Sequence, residues 1–455
     1  MHTSPESAVN HLSAPASFWQ AFLFWLKLGF VSFGGPAGQI ALMHDELVEK
    51  RRWISERRFL HALNFCMLLP GPEAQQLATY MGWLMHKTWG GIVAGVLFVL
   101  PSLLMLIGLA WVYLTLGDQP VVAGIFYGIK PAVTAIVVQA CYRIGGRTLK
   151  NRWLWGIAVA AFVAIFALYL PFPLIVMVAA CAGLIGGRVA PQAFAMSGQA
   201  KTKGSQGGAW IDDDSLRPAH THFGWARLLG VVAVGVLLWL APMLWLIFTL
   251  GWAQDYTQMA WFFTKAAWLT FGGAYAVLPY VVDGAVTHYG WLTPAQMMDG
   301  LALGESTPGP LIMIVAFVAF VGGYGQALLG PEALFLAGAA AAVLVTWFTF
   351  LPSFVLILAG GPVVESTRNT LVFTAPLTAI TAAVVGVIVN LALFFAYHVF
   401  WPQGFTGPAD VGSVDFSSVI LAVCAALALL RFKRSLLEVL AASALAGLAI
   451  SIAAQ

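Results

Sequence analysis

A chain of 455 residues with 60% hydrophobic and 9% charged side chains lies far from the soluble average of roughly 25% charged. Together with a mean hydropathy of +0.86, this excludes a water-soluble globular protein, because the polar side chains are too few to cover the apolar ones. The net charge of +3 is small, and its distribution along the chain carries more information than its size.

Residues 1–17 form a polar N-terminal segment without the basic region and small-residue cleavage pattern of a signal peptide. Apolar stretches follow at 18–35, 59–86, 89–115, 120–142, 153–170, 172–187, 227–250, 258–273, 297–320, 333–359, 371–397, 416–430 and 435–453. Most approach the roughly 20 residues that a membrane-spanning helix needs. The polar stretch 189–226 reads as a cytoplasmic, mobile linker. Cys66, Cys141, Cys181 and Cys424 stand singly in apolar surroundings, and the nine His are scattered. No metal site, cofactor, catalytic residue or nucleic-acid partner is expected from such a pattern.

The chain repeats itself at a displacement of 238 residues without a gap, over Phe24–Pro72 and Phe262–Pro310. Lys27 falls on Lys265, Phe33-Gly34-Gly35 on Phe271-Gly272-Gly273, Asp45 on Asp283 and Trp53 on Trp291. Pro70-Gly71-Pro72 falls on Pro308-Gly309-Pro310, and 12 of the 49 aligned positions are identical. Internal duplication follows. The expected domains are a first membrane repeat over 18–188, the linker over 189–226, a connecting transmembrane helix over 227–257 and a second membrane repeat over 258–455.

The copies share their helix breakers but not the cations between them. Lys50, Arg51, Arg52, Arg57 and Arg58 align with His288, Tyr289, Gly290, Ala295 and Gln296. Basic loops stay in the cytoplasm, so the copies are expected to point in opposite directions. With FGG and PGP as re-entrant hairpins, nine other crossings and a cytoplasmic N-terminus, 19 of the 22 Lys and Arg fall in or at the edge of cytoplasmic segments. The other three, Lys27, Lys130 and Lys265, lie inside apolar stretches. The competing reading makes FGG and PGP simple kinks in spanning helices; the charge count favours hairpins. The predicted fold is thus an all-α polytopic membrane protein with two inverted-topology repeats, each holding two broken or re-entrant hairpins.

Broken backbone at equivalent depths of two halves points to a transport site. Lys27 and Lys265 lie about 15 Å into their stretches at 1.5 Å per residue, where a lysine costs about 2.5–3.5 kcal/mol. They serve either as anion ligands or as charges that snorkel to headgroups. Helices restarting after Gly34-Gly35 and Gly272-Gly273, and after Pro70-Gly71-Pro72 and Pro308-Gly309-Pro310, would aim unpaired N–H groups at an anion. Ser32, Phe33, Thr270, Phe271 and Thr307 flank these breaks, the hydroxyls acting as ligand donors or as local caps. Glu73 and Glu305 are candidates for proton coupling or ion pairing, and Lys130 is a further candidate. Asp299 is expected near the outer interface.

The strings KLGFVSFGGPAGQIALM, FLHALNFCMLLPGPEAQQLATYMGW, LTFGGAYAVLPYV and LALGESTPGPL resemble the bacterial chromate ion transporter family in its long, two-domain form. The resemblance implies export of chromate, a tetrahedral oxyanion, across the bacterial cytoplasmic (inner) membrane. It implies chromate resistance driven by the proton motive force or membrane potential, with sulfate as the look-alike substrate. A homodimer is compatible with it. A sulfate importer and an uncoupled anion channel are the alternatives that the residues leave open.

Overall fold

The computed structural model describes residues 16–33, 35–117, 119–194, 209–211, 219–366, 374–404 and 414–453. Gly34 and residues 1–15 of the N-terminal segment lie outside them, as do 195–208 and 212–218 of the linker.

The first copy opens with α1 (Phe18–Val31), started by a capping box between Ser17 and Gln20. The backbone leaves the helix at Ser32 and restarts at Gly35, whose φ of 73° suits glycine. From there α2 (Gly35–His44) runs into one π-helical turn, Asp45–Lys50. Next come α3 (Glu56–Cys66), capped by Ser55, and the PGP turn. Long α4 (Glu73–Leu116) has non-helical dihedrals at His86 and Lys87 that divide it in two. The copy ends with α5 (Pro120–Thr148), α6 (Arg152–Phe166) and α7 (Phe172–Val189).

Connecting helix α8 (Trp225–Thr249) leads to the second copy. Its elements are α9 (Asp255–Leu269), α10 (Ala274–Val282), a π-helical turn Asp283–His288, α11 (Pro294–Ser306) and α12 (Ile314–Gly325). Then follow α13 (Leu334–Ser366), α14 (Thr374–Phe400), α15 (Phe416–Leu430) and α16 (Leu436–Ala453). The duplication extends to backbone detail. Both π-turns occupy the same register, and both fold the chain back onto a buried tryptophan. Trp53 N–H donates to Leu47 C=O at 2.8 Å, and Trp291 N–H to Ala285 C=O at 2.8 Å.

Among the described residues, seven helices are long and apolar enough to cross a membrane, beginning at Glu73, Pro120, Phe172, Trp225, Pro331, Thr374 and Leu436. The chain is an all-α, multi-pass membrane protein. The nine stretches expected to cross singly each appear as one helix or helix segment, α6 and α15 being the short ones.

The halves interlock through exchanged partners. α5 packs on α15 and α16 of the second copy, and α14 packs on α6 and α7 of the first. α4 and α13 face each other, as do α5 and α14. Glycine permits the closest approach: a Cβ at Gly447 would lie 2.4 Å from Gly128 Cα, so α16 seats directly on the α5 backbone.

The polar stretch 189–226 behaves differently from a free linker in its described parts. Trp210 N–H donates to Arg52 C=O and Ile211 N–H to Trp53 C=O, both at 3.0 Å. Ile211 is buried, and a His220 ring nitrogen lies 3.1 Å from Trp83 C=O. Apolar Trp210 and Ile211, embedded in a polar composition, supply the reason for docking.

Candidate substrate site

The helix breaks of the two copies meet reciprocally. Gly71 N–H donates to Thr270 C=O at 2.7 Å, and Gly309 N–H donates to Ser32 C=O at 2.9 Å. Each bond satisfies a carbonyl left over where α9 or α1 ends. Gly71 (φ 124°) and Gly309 (φ 104°) adopt backbone conformations that strain any L side chain. A Cβ would also run into Ser353 at Gly71 and into Ser102 at Gly309. Two buried glutamines tie the crossing together. Gln39 Nε2 donates to Ser32 C=O at 3.1 Å and to Gly309 C=O. Gln76 Nε2 donates to Pro70 C=O at 2.7 Å. The Oε1 atoms of Gln39 and Gln76 and the Ser102 hydroxyl are buried without a partner in the structure.

Beside the crossing lies a cavity of about 520 Å³. Its walls are α2 and α3, the start of α4 at Glu73, the Gly272-Gly273 turn with Tyr275, and the last turns of α5, which present Arg143 and Arg147. Arg143 and Arg147 are four residues apart and share one helix face. α10 starts at the cavity wall, so its first N–H groups lie beside it. Tyr275 Oη donates to buried Glu305 Oε1, and the charge of Arg143 reaches this pair. The cavity exists because the hairpins are packed unequally. α10 and α11 close on α14 and α5, whereas α2 and α3 rest on α4 and stand off from α5.

The residues expected at the site separate into two groups. The breaks Ser32–Phe33 and Gly35, Pro70-Gly71-Pro72, Thr270–Gly273 and Thr307–Pro310 converge at or beside the crossing, with Glu73 on the cavity wall. The hydroxyl protons of Ser32, Thr270 and Thr307 are engaged by carbonyls of their own helices, at 2.6, 2.7 and 3.0 Å from Leu28, Ala266 and Gly304. Their protons are thus turned to local backbone rather than into the cavity. The lysines stand apart. Lys27 is exposed on the same face of α1 as exposed Leu23 and Phe30, and Lys265 is half-buried with its Nζ 5.7 Å from the Trp261 ring. Neither is among the described residues that line the cavity. Lys130 pairs at 3.5 Å with Asp299, which also accepts from Tyr113 Oη at 2.9 Å. Asp299, expected at an interface, is buried because α11 packs on α5.

Sequence reasoning passed over Arg143 and Arg147 by ending the fourth apolar stretch at residue 142; their spacing of four was the available signal. Among the described residues, no group of three or more His, Cys, Asp or Glu side chains converges.

Broken helices of two related halves that meet beside a basic cavity in a multi-pass protein define a transporter architecture. The chain belongs to the chromate transporter family, whose model matches residues 19–186 and 257–448, once in each half. It is 32% identical over 394 residues to a chromate transport protein of Pseudomonas aeruginosa, covering 84% of this chain and 82% of that one. It is 27% identical over 460 residues to a chromate transport protein of Cupriavidus metallidurans, covering 96% and 94%. A probable chromate transport protein of Synechococcus elongatus is 30% identical over 329 residues, covering 72% and 75%. No solved structure matches the chain.

Proposed function

We propose that this chain exports chromate, a tetrahedral dianion, through the cavity at the α5 terminus. The observation that carries the reading is the convergence of Arg143, Arg147 and the start of α10 on one side of the helix crossing. Guanidinium groups fit oxyanions in bidentate geometry, and a helix N-terminus adds oriented N–H donors. In this reading the copies are inverted, the N-terminus is cytoplasmic and the cavity faces the cytoplasm of an inner membrane. Its side is that of Arg147, Lys150 and Arg152, where basic residues are retained.

Glu73 borders this space, and Glu305 stands behind its wall, bonded to the lining Tyr275. A dianion entering it repels both carboxylates, so anion binding and carboxyl protonation favour each other reciprocally. A dianion leaving a cytoplasm held at negative potential gains about 4.6 kcal/mol per 100 mV, since each charge contributes about 2.3. The membrane potential therefore suffices to drive export. Closure of α2 and α3 onto α5, matching the seat of α10 and α11, would complete the exchange of access. Lys27 and Lys265 act in this scheme on the lipid-facing side rather than as ligands.

The test is chromate flux in proteoliposomes carrying an imposed potential, with sulfate as competitor. Arg143→Gln and Arg147→Gln should each abolish saturable flux, while Lys27→Gln retains it. Full flux in both arginine variants would overturn the assignment.

A further inference from the structure

A second cavity, of about 600 Å³, lies away from the crossing, between the second segment of α4, α8 and α13. We propose that it binds one acyl chain of an anionic phospholipid, with the headgroup held by Arg227 and Lys87. Its lining is hydrocarbon apart from one end, where Thr88 and Arg227 stand, and Thr346 and Trp347 farther in, whose protons are engaged by Ala342 C=O at 2.7 Å and Leu238 C=O at 3.1 Å. The lining therefore offers nothing to a peptide backbone, whose polar groups would go unsatisfied there. It suits an alkyl chain.

The charged end suits a phosphate. The Arg227 guanidinium lies 5.7 Å from the Trp83 ring centre and donates one N–H to His220 C=O. Arginine carries five donors, so the fork is oriented by protein and still has donors to offer. Lys87, exposed at the break in α4, directly precedes Thr88, which lines the same end of the groove as Arg227. Depth agrees with chemistry. From Arg227 to Leu238 the groove follows α8 for 11 residues. That is about 17 Å at 1.5 Å per residue, close to half of a hydrocarbon core about 30 Å thick. The groove is one leaflet deep and has its cations at the headgroup level.

The occupant would also bear on the transport site. Phe354, in the groove wall, adjoins Ser353, which flanks Gly71 at the crossing. A chain seated here would wedge α4 and α13 at a fixed separation.

Native mass spectrometry of the full-length protein, with phosphatidylglycerol or phosphatidylcholine added to the detergent, tests the proposal. The wild type should retain one phosphatidylglycerol with roughly tenfold preference, the factor expected of one charge-assisted contact. Arg227→Gln combined with Lys87→Gln should bring the two lipids to parity. Val234→Trp, which fills the groove from an exposed position and leaves both cations in place, should lower retention of both lipids. Equal retention of the two lipids by the wild type, or undiminished phosphatidylglycerol on the folded tryptophan variant, would overturn it.

Discussion

Gly309→Ala probes the helix crossing directly. The substitution places a Cβ at φ 104°, where strain for an L residue amounts to about 1–3 kcal/mol. The same Cβ would lie 2.7 Å from Ser102 Cβ, well inside the roughly 3.5–4.0 Å optimum for carbon pairs. Relieving that overlap in a packed interior adds about 1–3 kcal/mol. The two effects are separable. Ser102→Gly in the same chain removes the overlap but not the strain, so the cycle should show a coupling of about 1–3 kcal/mol, the overlap's share of the loss. Ser102→Gly alone weakens α4 by about 1 kcal/mol, the helix penalty of glycine. Thermal unfolding of the four proteins in one detergent, analysed as a double-mutant cycle, supplies the measurement. Unfolding of Gly309→Ala at the wild-type temperature would refute the packing argument. Purely additive effects would refute the contact with Ser102.

Other consequences are equally open to measurement. Lys130→Met strips a buried carboxylate of its cation and should destabilise the protein by about 3–5 kcal/mol, with Asp299→Asn in the same chain restoring much of it; a thermal-unfolding cycle showing no coupling would contradict the pairing. Glu365, buried, accepts from Tyr80 Oη at 2.7 Å and pairs with buried Arg58 at 3.9 Å, so Glu365→Ala should destabilise by a similar amount and Glu365→Gln by less. Burial against Trp83 holds the His220 imidazole below its ordinary pKa, helped by Arg227 and Lys87 and opposed by its bond to Trp83 C=O. The undocked segment then binds more protons than the docked one. Docking is therefore fully present above about pH 6.5 and weakens as the pH falls below it. Hydrogen exchange at Trp210 and Ile211, corrected for intrinsic rates, should be faster at about pH 5.5 than at about pH 7.5; equal protection would remove His220 from the linkage. Ala37, on the cavity wall and exposed, should as Ala37→Cys react with a charged thiol reagent and be shielded by chromate.

The duplication and its breaks were legible because glycine and proline act through the backbone, which needs no tertiary context. FGG and PGP sit where the helices end, and the repeat register extends even to the π-turns. Side-chain direction was not legible. The depth of Lys27 could be counted, but its face depends on Phe24, Trp25 and Leu28 turning inward, and that is set by α4. Arg143 and Arg147 were hidden because hydropathy ends a span at the first cation, whereas α5 continues to Thr148. Asp299 looked interfacial from its position in the chain; its partner Lys130 lies in the other half and becomes adjacent only through the fold.

The exchanged seats of α5 and α14 limit how this molecule can change shape. A lever anchored in the opposite half cannot swing without dragging that half along, so the two halves are poorly suited to tilting as independent blocks. In the transport scheme proposed above, the long helices would then serve as the stationary chassis. Movement would fall to the short α2–α3 arm, which rests on α4 and faces the cavity.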